Sequence, residues 1–249
     1  HRVESSAASD VYKRQMLLQG YPNLEYIIID GDSTDKSVEI IQKYEPWLSY
    51  WVSEPDRGQT HAVNKGFALC NGEILAWLNS DDTYEPGAIT TVVQRMASDP
   101  SIDVIYGNVK ITDEKGDLLA EVRSVPFNSQ AFLYETVHII AQSAVFWRRQ
   151  LQIKVGDVNE DLHYAMDREL LIRFMEDGAK FTFLRQVLGT YRCHSGAKTS
   201  SNRSREELLT IPQMAAVTKR TDYTFWRSLY RLRQWFWLII QGDLPYMIN

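Results

Sequence analysis

Apolar and β-branched residues fall into short runs, each of which stops at a polar turn. The run Leu24 to Ile29 predicts a buried strand. It ends in Asp30-Gly31-Asp32-Ser33-Thr34-Asp35, a turn whose Ser and Asp side chains suit helix N-caps. Val38, Ile41 and Tyr44 then recur at helical spacing. A second strand, Leu48 to Ser53, stops at Glu54-Pro55-Asp56-Arg57-Gly58, and the helix after it carries Ala62, Phe67 and Leu69 among its apolar positions. A third, Ile74 to Leu78, stops at Asn79-Ser80-Asp81-Asp82. Pro86 sits where a first helical turn tolerates proline, ahead of Ile89, Val92, Val93 and Met96.

Strand followed by helix, repeated at short spacing, predicts an α/β fold: a mostly parallel sheet with helices on its faces. The rhythm changes after Pro100. Val104 to Thr112 and Leu118 to Val122 flank Asp113-Glu114-Lys115-Gly116 and read as a hairpin. A strand near Ala144 to Trp147, a helix from Asp167 to Met175, and two strands at Phe181 to Leu184 and Val187 to Tyr191 follow. Residues 1–15 show neither alternation nor a helical stripe, and no apolar core follows their basic start as in a signal peptide. The expected organisation is a non-native-looking or disordered segment over 1–15, a catalytic-type domain over 16–200, and a C-terminal helical extension over 201–249. Ser200 to Ser204 reads as a polar linker, and the stretch from Glu206 as two helices.

Composition narrows the function classes. In 249 residues, 27 Lys and Arg face 32 Asp and Glu, and the net charge of −5 excludes a broad basic face for nucleic acid. Hydrophobic residues at 44% and charged ones at 24% describe a globular chain, not a disordered one. Cys70 and Cys193 form neither a disulfide framework nor a four-thiolate zinc site, so a reducing, cytoplasmic setting is expected. No apolar run approaches the roughly 20 residues of a membrane span.

Ligands of open α/β sheets bind beyond the carboxyl ends of the strands. Each of the strand ends here carries acidic residues: Asp30 with Asp32 and Asp35, Asp56 beside Arg57, and Asp81 with Asp82. Taken singly, each cluster also reads as turn and cap chemistry. Adjacent carboxylates such as Asp81 and Asp82 repel unless a cation or hydrogen bonds compensate. A hard divalent ion, Mn²⁺ or Mg²⁺, that also carries diphosphate oxygens is one such compensation. Gly-x-Gly-x-x-Gly and Gly-x-x-x-x-Gly-Lys-Ser/Thr are absent, which argues against a Rossmann dehydrogenase and a P-loop phosphotransferase. No nucleophile elbow and no His-Glu-x-x-His pair supports a hydrolase.

Five ordered motifs carry a resemblance. Tyr21-Pro22-Asn23-Leu24-Glu25-Tyr26 running into Asp30-Gly31-Asp32-Ser33-Thr34-Asp35 resembles the opening of the inverting glycosyltransferases of family 2, which have the GT-A fold. Glu54-Pro55-Asp56-Arg57-Gly58-Gln59 and then Asn64-Lys65-Gly66 continue in register, and Leu78-Asn79-Ser80-Asp81-Asp82 is similar to the family's Asp-x-Asp metal motif. Ile140 to Arg149, with Gln142 and Trp147, and Met166-Asp167-Arg168-Glu169-Leu170 resemble later landmarks.

The resemblance implies a nucleotide-diphosphate sugar donor, with UDP favoured, and a glycan or lipid-linked acceptor. Asp30 would contact the base, and Asp32, Asp56, Arg57, Asn64 and Lys65 would line the donor pocket. Asp81 would hold a divalent cation (Mn²⁺ or Mg²⁺) with Asp82 beside it, and Asp167 would be the general base. Gln142 and Trp147 would face the acceptor, although Trp147 reads equally as core. His194 and Lys198 lie in a segment that resembles the family's closing loop, where His194 is either structural or near the metal. Two positions depart from the pattern: Asn79 stands for the first Asp of the metal motif, and Asp32 for a glycine. Relatives also have a first strand ahead of Leu17 to Gly20, which this chain is expected to lack. A catalytically impaired nucleotide-sugar-binding relative is therefore the alternative reading.

The tail leaves two readings open. Trp226, Trp235, Phe236, Trp237, Ile239 and Ile240 lie among Arg220, Arg227, Arg231 and Arg233, the composition of an interfacial membrane helix. Such a helix would either dock peripherally at the inner membrane face or pack onto the domain.

Overall fold

The computed structural model describes residues 15–134, 140–162 and 164–194. The tail, the proposed linker and Lys198 lie outside the described residues. The first half runs β1 (Ile27–Asp30), α1 (Ser37–Tyr44), β2 (Tyr50–Ser53), α2 (Gln59–Leu69), β3 (Ile74–Leu75), β4 (Thr83–Tyr84) and α3 (Ala88–Ser98). The second runs β5 (Val104–Thr112), β6 (Leu118–Val122), α4 (Ser129–Tyr134), β7 (Val145–Arg148), α5 (Arg149–Val155), α6 (Met166–Glu176) and β8 (Phe181–Arg192).

The strand–helix repeats give the expected parallel pair. β1 and β2 run side by side from Ile27 opposite Tyr50 to Asp30 opposite Ser53, and form a two-stranded sheet of their own. The larger sheet has the order β3-β7-β5-β8-β4, with β6 also on β5. Its pairing corrects the expectation of a mostly parallel sheet: only β5 and β8 are parallel, while β7 runs antiparallel to both β3 and β5, β4 to β8, and β6 to β5. Helices cover both faces, so the α/β class holds.

β5 explains how one sheet serves two cores. Side chains alternate across a strand. Val104 and Tyr106 join Trp147, Leu170, Ile172 and Phe174 on one face. Ile105 and Val109 join Tyr84, Ile89, Val92, Met96, Phe146 and Leu188 on the other. The hairpin is built as expected, with the Asp113 carboxylate accepting the N–H groups of Lys115 and Asp117, each at 2.9 Å.

Two strand expectations are corrected. The third strand pairs only over Ile74–Leu75, not to Leu78. Beyond it the Trp77 carbonyl accepts the Gln142 side-chain amide and the Tyr84 hydroxyl, so side chains replace the ladder there. The two strands expected over Phe181 to Tyr191 are one strand, β8. Its register against β5 shifts between Tyr106 and Asn108, and Gly107 makes that possible. A Cβ at Gly107 would lie 2.6 Å from the Gln186 carbonyl oxygen. Among the described residues no helix is long and apolar enough to cross a membrane.

Candidate functional site

The ends of β1 and β2 meet because the two strands are in register. One oxygen of Asp30 accepts the Ser33 N–H at 2.9 Å and the Ser53 hydroxyl at 2.6 Å. Across the turn, a Cβ on Gly31 would collide with the Asp56 carboxylate, so glycine there is what lets Asp56 close over the β1 turn. Asp56 in turn accepts the Gly58 N–H at 2.7 Å. The turns that carry Asp30 and Asp56 are thus neighbours. Asp32 takes a left-handed backbone (φ 64°), the conformation that the motif's usual glycine adopts most easily. Asp35 accepts the Ser37 N–H at 2.8 Å, and its bonds to Ser37 lower its carboxyl below the ordinary value. For Asp35 the geometry supports the turn reading, whereas the helix that follows has Lys36 at its N-cap and no side-chain cap bond, which corrects the capping expected there.

The residues after Asp56 divide. Arg57 is 70% exposed and pairs with Glu160 at 2.8 Å. Lys65 pairs with Glu54 at 2.8 Å, and this lysine is the main reason that the Glu54 carboxyl lies below its usual range. Asn64 is buried and commits its amide oxygen and nitrogen to the backbone of Val158, both at 2.9 Å. The nucleotide contact that the motif implies for Asn64 is replaced by this clamp.

The third turn is tied together by amides. Asn79 donates to Asp82 and to the Gln142 side-chain oxygen, each at 3.1 Å, and accepts from Gln59 at 2.6 Å. Gln142 itself donates to the Trp77 carbonyl. It therefore sits within the acidic motif's own network. Asp82 is 2% exposed and accepts the Arg192 N–H at 3.2 Å. Burial, and after it the neighbouring Asp81 charge, pushes the Asp82 carboxyl up to about 7. Asp81 points the other way: its carboxylate lies 2.9 Å from Nε2 of His194. Of the two readings of His194, this places it at the acidic motif.

Among the described residues no group of three or more His, Cys, Asp and Glu assembles a complete metal cage. A cation that shares a diphosphate needs only one or two carboxylates from the protein, and a neutral imidazole nitrogen can add a further donor. Asp81 with His194 is a donor set that fits such an ion.

Asp167 lies in the first turn of α6, which starts one residue earlier than expected, at Met166. There the helix dipole favours an ionised carboxylate. Behind it, Glu169 holds Arg173 through two bonds of 2.7 and 2.9 Å, and Arg173 reaches the Val155 and Asp157 carbonyls at 2.7 Å. Sequence reading missed this anchor, although the i,i+4 spacing of Glu169 and Arg173 is a usable signal. It missed Gln59 and Glu160 too, whose partners lie 20 and 103 residues away.

Trp147 is corrected from acceptor side to core. It is 1% exposed, meets Phe67 and Trp77 edge-on at 5.7 and 5.6 Å, and donates its indole N–H to Gln152 at 3.1 Å. No ring face is left for a sugar.

Residues 13–155, more than half of the chain, match the family described as Glycosyl transferase family 2. The chain belongs to glycosyl transferase family 2. The match takes in all three acidic turns, whereas Asp167 and His194 lie beyond it. Among family relatives, the uncharacterized glycosyltransferase Rv1514c of Mycobacterium tuberculosis is 30% identical over 152 residues, 60% of this chain and 56% of the relative. Chondroitin synthase of Escherichia coli is 25% identical over 237 residues, 92% of this chain and 34% of the synthase. The O-antigen biosynthesis protein RfbC of Myxococcus xanthus is 25% identical over 207 residues, 79% of this chain and 16% of RfbC. The chain thus spans from about half to a small part of the length of these relatives.

Solved structures show the same fold. Residues 1–349 of Staphylococcus aureus TarS, in complex with UDP-GlcNAc, superpose with a TM-score of 0.68 at 16% identity, covering 88% of this chain and 65% of that one. The mannosyltransferase PcManGT of Pyrobaculum calidifontis, in complex with GDP-Man and Mn²⁺, gives 0.63 at 16% identity, over 85% of this chain and 61% of that one. The α/β architecture here is theirs.

Proposed function

We propose that this chain transfers a sugar from a nucleotide-diphosphate sugar, a UDP-sugar in the first instance, to an acceptor hydroxyl, with inversion and with a divalent cation, during surface polysaccharide or glycan assembly. The observation that carries the reading is the Asp81–His194 contact, which closes the end of β8 over the acidic motif of a family 2 fold. Family 2 membership supports sugar transfer. The relatives' names point to polysaccharides, and the UDP-GlcNAc complex of TarS and the Mn²⁺ complex of PcManGT favour the donor class and the ion.

In this reading Asp30 meets the nucleotide base and Asp56 with Arg57 lines the donor pocket. Asp81, with His194 and with Asp82 behind it, would hold the cation, which supplies charge to offset the departing nucleoside diphosphate. Asp167 takes the proton of the acceptor hydroxyl as that oxygen bonds to the anomeric carbon and the bond to the diphosphate breaks. A glycan or lipid-linked acceptor reached from the cytoplasmic side, with the tail at the membrane surface, completes the proposal.

Incubating the chain with a panel of nucleotide sugars and glycan acceptors, with Mn²⁺ or with EDTA, tests it. Transfer that EDTA abolishes supports the reading. Donor binding without transfer would establish the alternative, a nucleotide-sugar-binding relative that has lost activity, for which Asn79 and Asp32 at motif positions are the specific grounds.

A further inference from the structure

One face of α2 grips the segment that leads into α6. The Asn64 side-chain oxygen accepts the Val158 N–H, and its amide donates to the Val158 carbonyl, both at 2.9 Å, much as one strand residue pairs with another. One helical turn earlier, the Thr60 hydroxyl lies 3.4 Å from the Leu162 carbonyl and 2.7 Å from the Met166 sulfur. Glu160 closes the set, with one oxygen 3.3 Å from the Asn64 amide and the other 2.8 Å from the Arg57 guanidinium. Thr60 and Asn64 lie on one helix face at i,i+4, and both are buried, so water does not compete for these bonds. A buried backbone pair such as that of Val158 has no cheap substitute for its partner.

The two ends of this contact are what give it meaning. α2 starts immediately after the Asp56-Arg57 turn. The gripped segment ends at Met166, and the next residue is Asp167. A polar face on a helix next to a donor pocket would ordinarily be turned to the ligand, but here it is spent on the backbone of a distant loop.

We propose that Asn64 is a positioning residue: its paired bonds to Val158 hold the loop that carries Asp167 at a fixed place relative to the donor-side turn. Asn64 then governs transfer through Asp167 and leaves donor binding alone. The inference rests on the transferase reading above.

The test compares the full chain with Asn64→Ala and Thr60→Val, the second of which replaces a hydroxyl by a methyl of similar size and loosens the same helix face should the first not fold. Turnover is measured with the donor found in the panel, affinity with UDP and Mn²⁺ by calorimetry, and loop order by hydrogen exchange over residues 158–166. The expected result is a kcat lowered about 10-fold or more, as for a misplaced reacting group. UDP affinity should change less than about 2-fold, below the roughly fivefold loss expected on removing a direct hydrogen bond, and exchange at Val158 should quicken in Asn64→Ala. An affinity loss that accounts for the whole fall in turnover would make Asn64 a nucleotide contact and overturn the proposal. So would an unchanged kcat in the folded variants, which would leave the clamp a matter of stability. If the unsubstituted chain transfers no sugar, the transferase reading fails and the positioning role with it, while quickened exchange would still report the clamp.

Discussion

Replacing Trp147 by Phe separates core from sugar platform. The indole is 1% exposed and packs against Phe67, Trp77 and Phe174, with ring centroids 5.7, 5.6 and 5.7 Å away. Phe retains much of that aromatic packing, but it removes the N–H that Gln152 accepts at 3.1 Å. Gln152 cannot compensate by turning its amide, because its nitrogen already donates to the Gly156 carbonyl at 2.8 Å. A buried acceptor is left unpaired, at a cost of about 1–3 kcal/mol. Trp147→Ala would add a cavity and cost about 3–5 kcal/mol, a large share of the roughly 5–15 kcal/mol that holds a domain together. Urea unfolding followed by circular dichroism measures the difference, and the acceptor KM of the folded Phe variant should stay as it was. An unchanged unfolding midpoint with a raised acceptor KM would refute the core assignment and restore the sugar platform.

Three further outcomes are expected. Gly31→Ala pushes a methyl into the Asp56 carboxylate and should weaken UDP affinity measured by calorimetry, with a stability loss of about 1–3 kcal/mol from overpacking; unaltered affinity would remove Asp56 from the donor pocket. Asp167→Asn should leave donor binding intact while transfer falls about 10²–10⁴-fold, and near-normal turnover would end its role as base. Glu169→Ala removes the carboxylate partner of Arg173, which is 22% exposed and keeps its bonds to the Val155 and Asp157 carbonyls, and should destabilise the fold by about 1–3 kcal/mol in urea titrations; a shift under about 0.5 kcal/mol would show the pair is effectively solvated.

What was legible in the sequence was local. The turns after Ile29, Ser53 and Leu78 are marked by their own Asp, Gly and Pro residues, and the structure brings Asp30 to Asp56 because parallel register puts consecutive strand ends side by side. Illegible parts depend on partners far along the chain. β3 stops early because Gln142, 65 residues on, takes the Trp77 carbonyl. β8 runs unbroken because Gly107 of a different strand leaves room for its extra residues. Asn64 carries a motif's identity but points to Val158, 94 residues away, and no local pattern reveals that. Trp147 could be read either way until its neighbours were known, since an aromatic among apolar residues looks the same in a core and in a sugar site. The Asp81–His194 contact joins residues 113 apart, and only the parallel pairing of β5 with β8 and the antiparallel pairing of β8 with β4 carry His194 to that place.

In the function proposed, Asp81 and its neighbours form a cation-dependent donor site. The most direct measurement is calorimetric titration of the same UDP-sugar into the unsubstituted chain with Mn²⁺, into the chain with EDTA, and into Asp81→Ala with Mn²⁺. Binding is expected in the first case, its loss in the other two, and a smaller effect for Asp82→Ala, whose buried carboxylate is turned to Asn79 and Arg192. Equal donor affinity with EDTA and with Mn²⁺, or an Asp81→Ala variant that binds as the unsubstituted chain does, would contradict it.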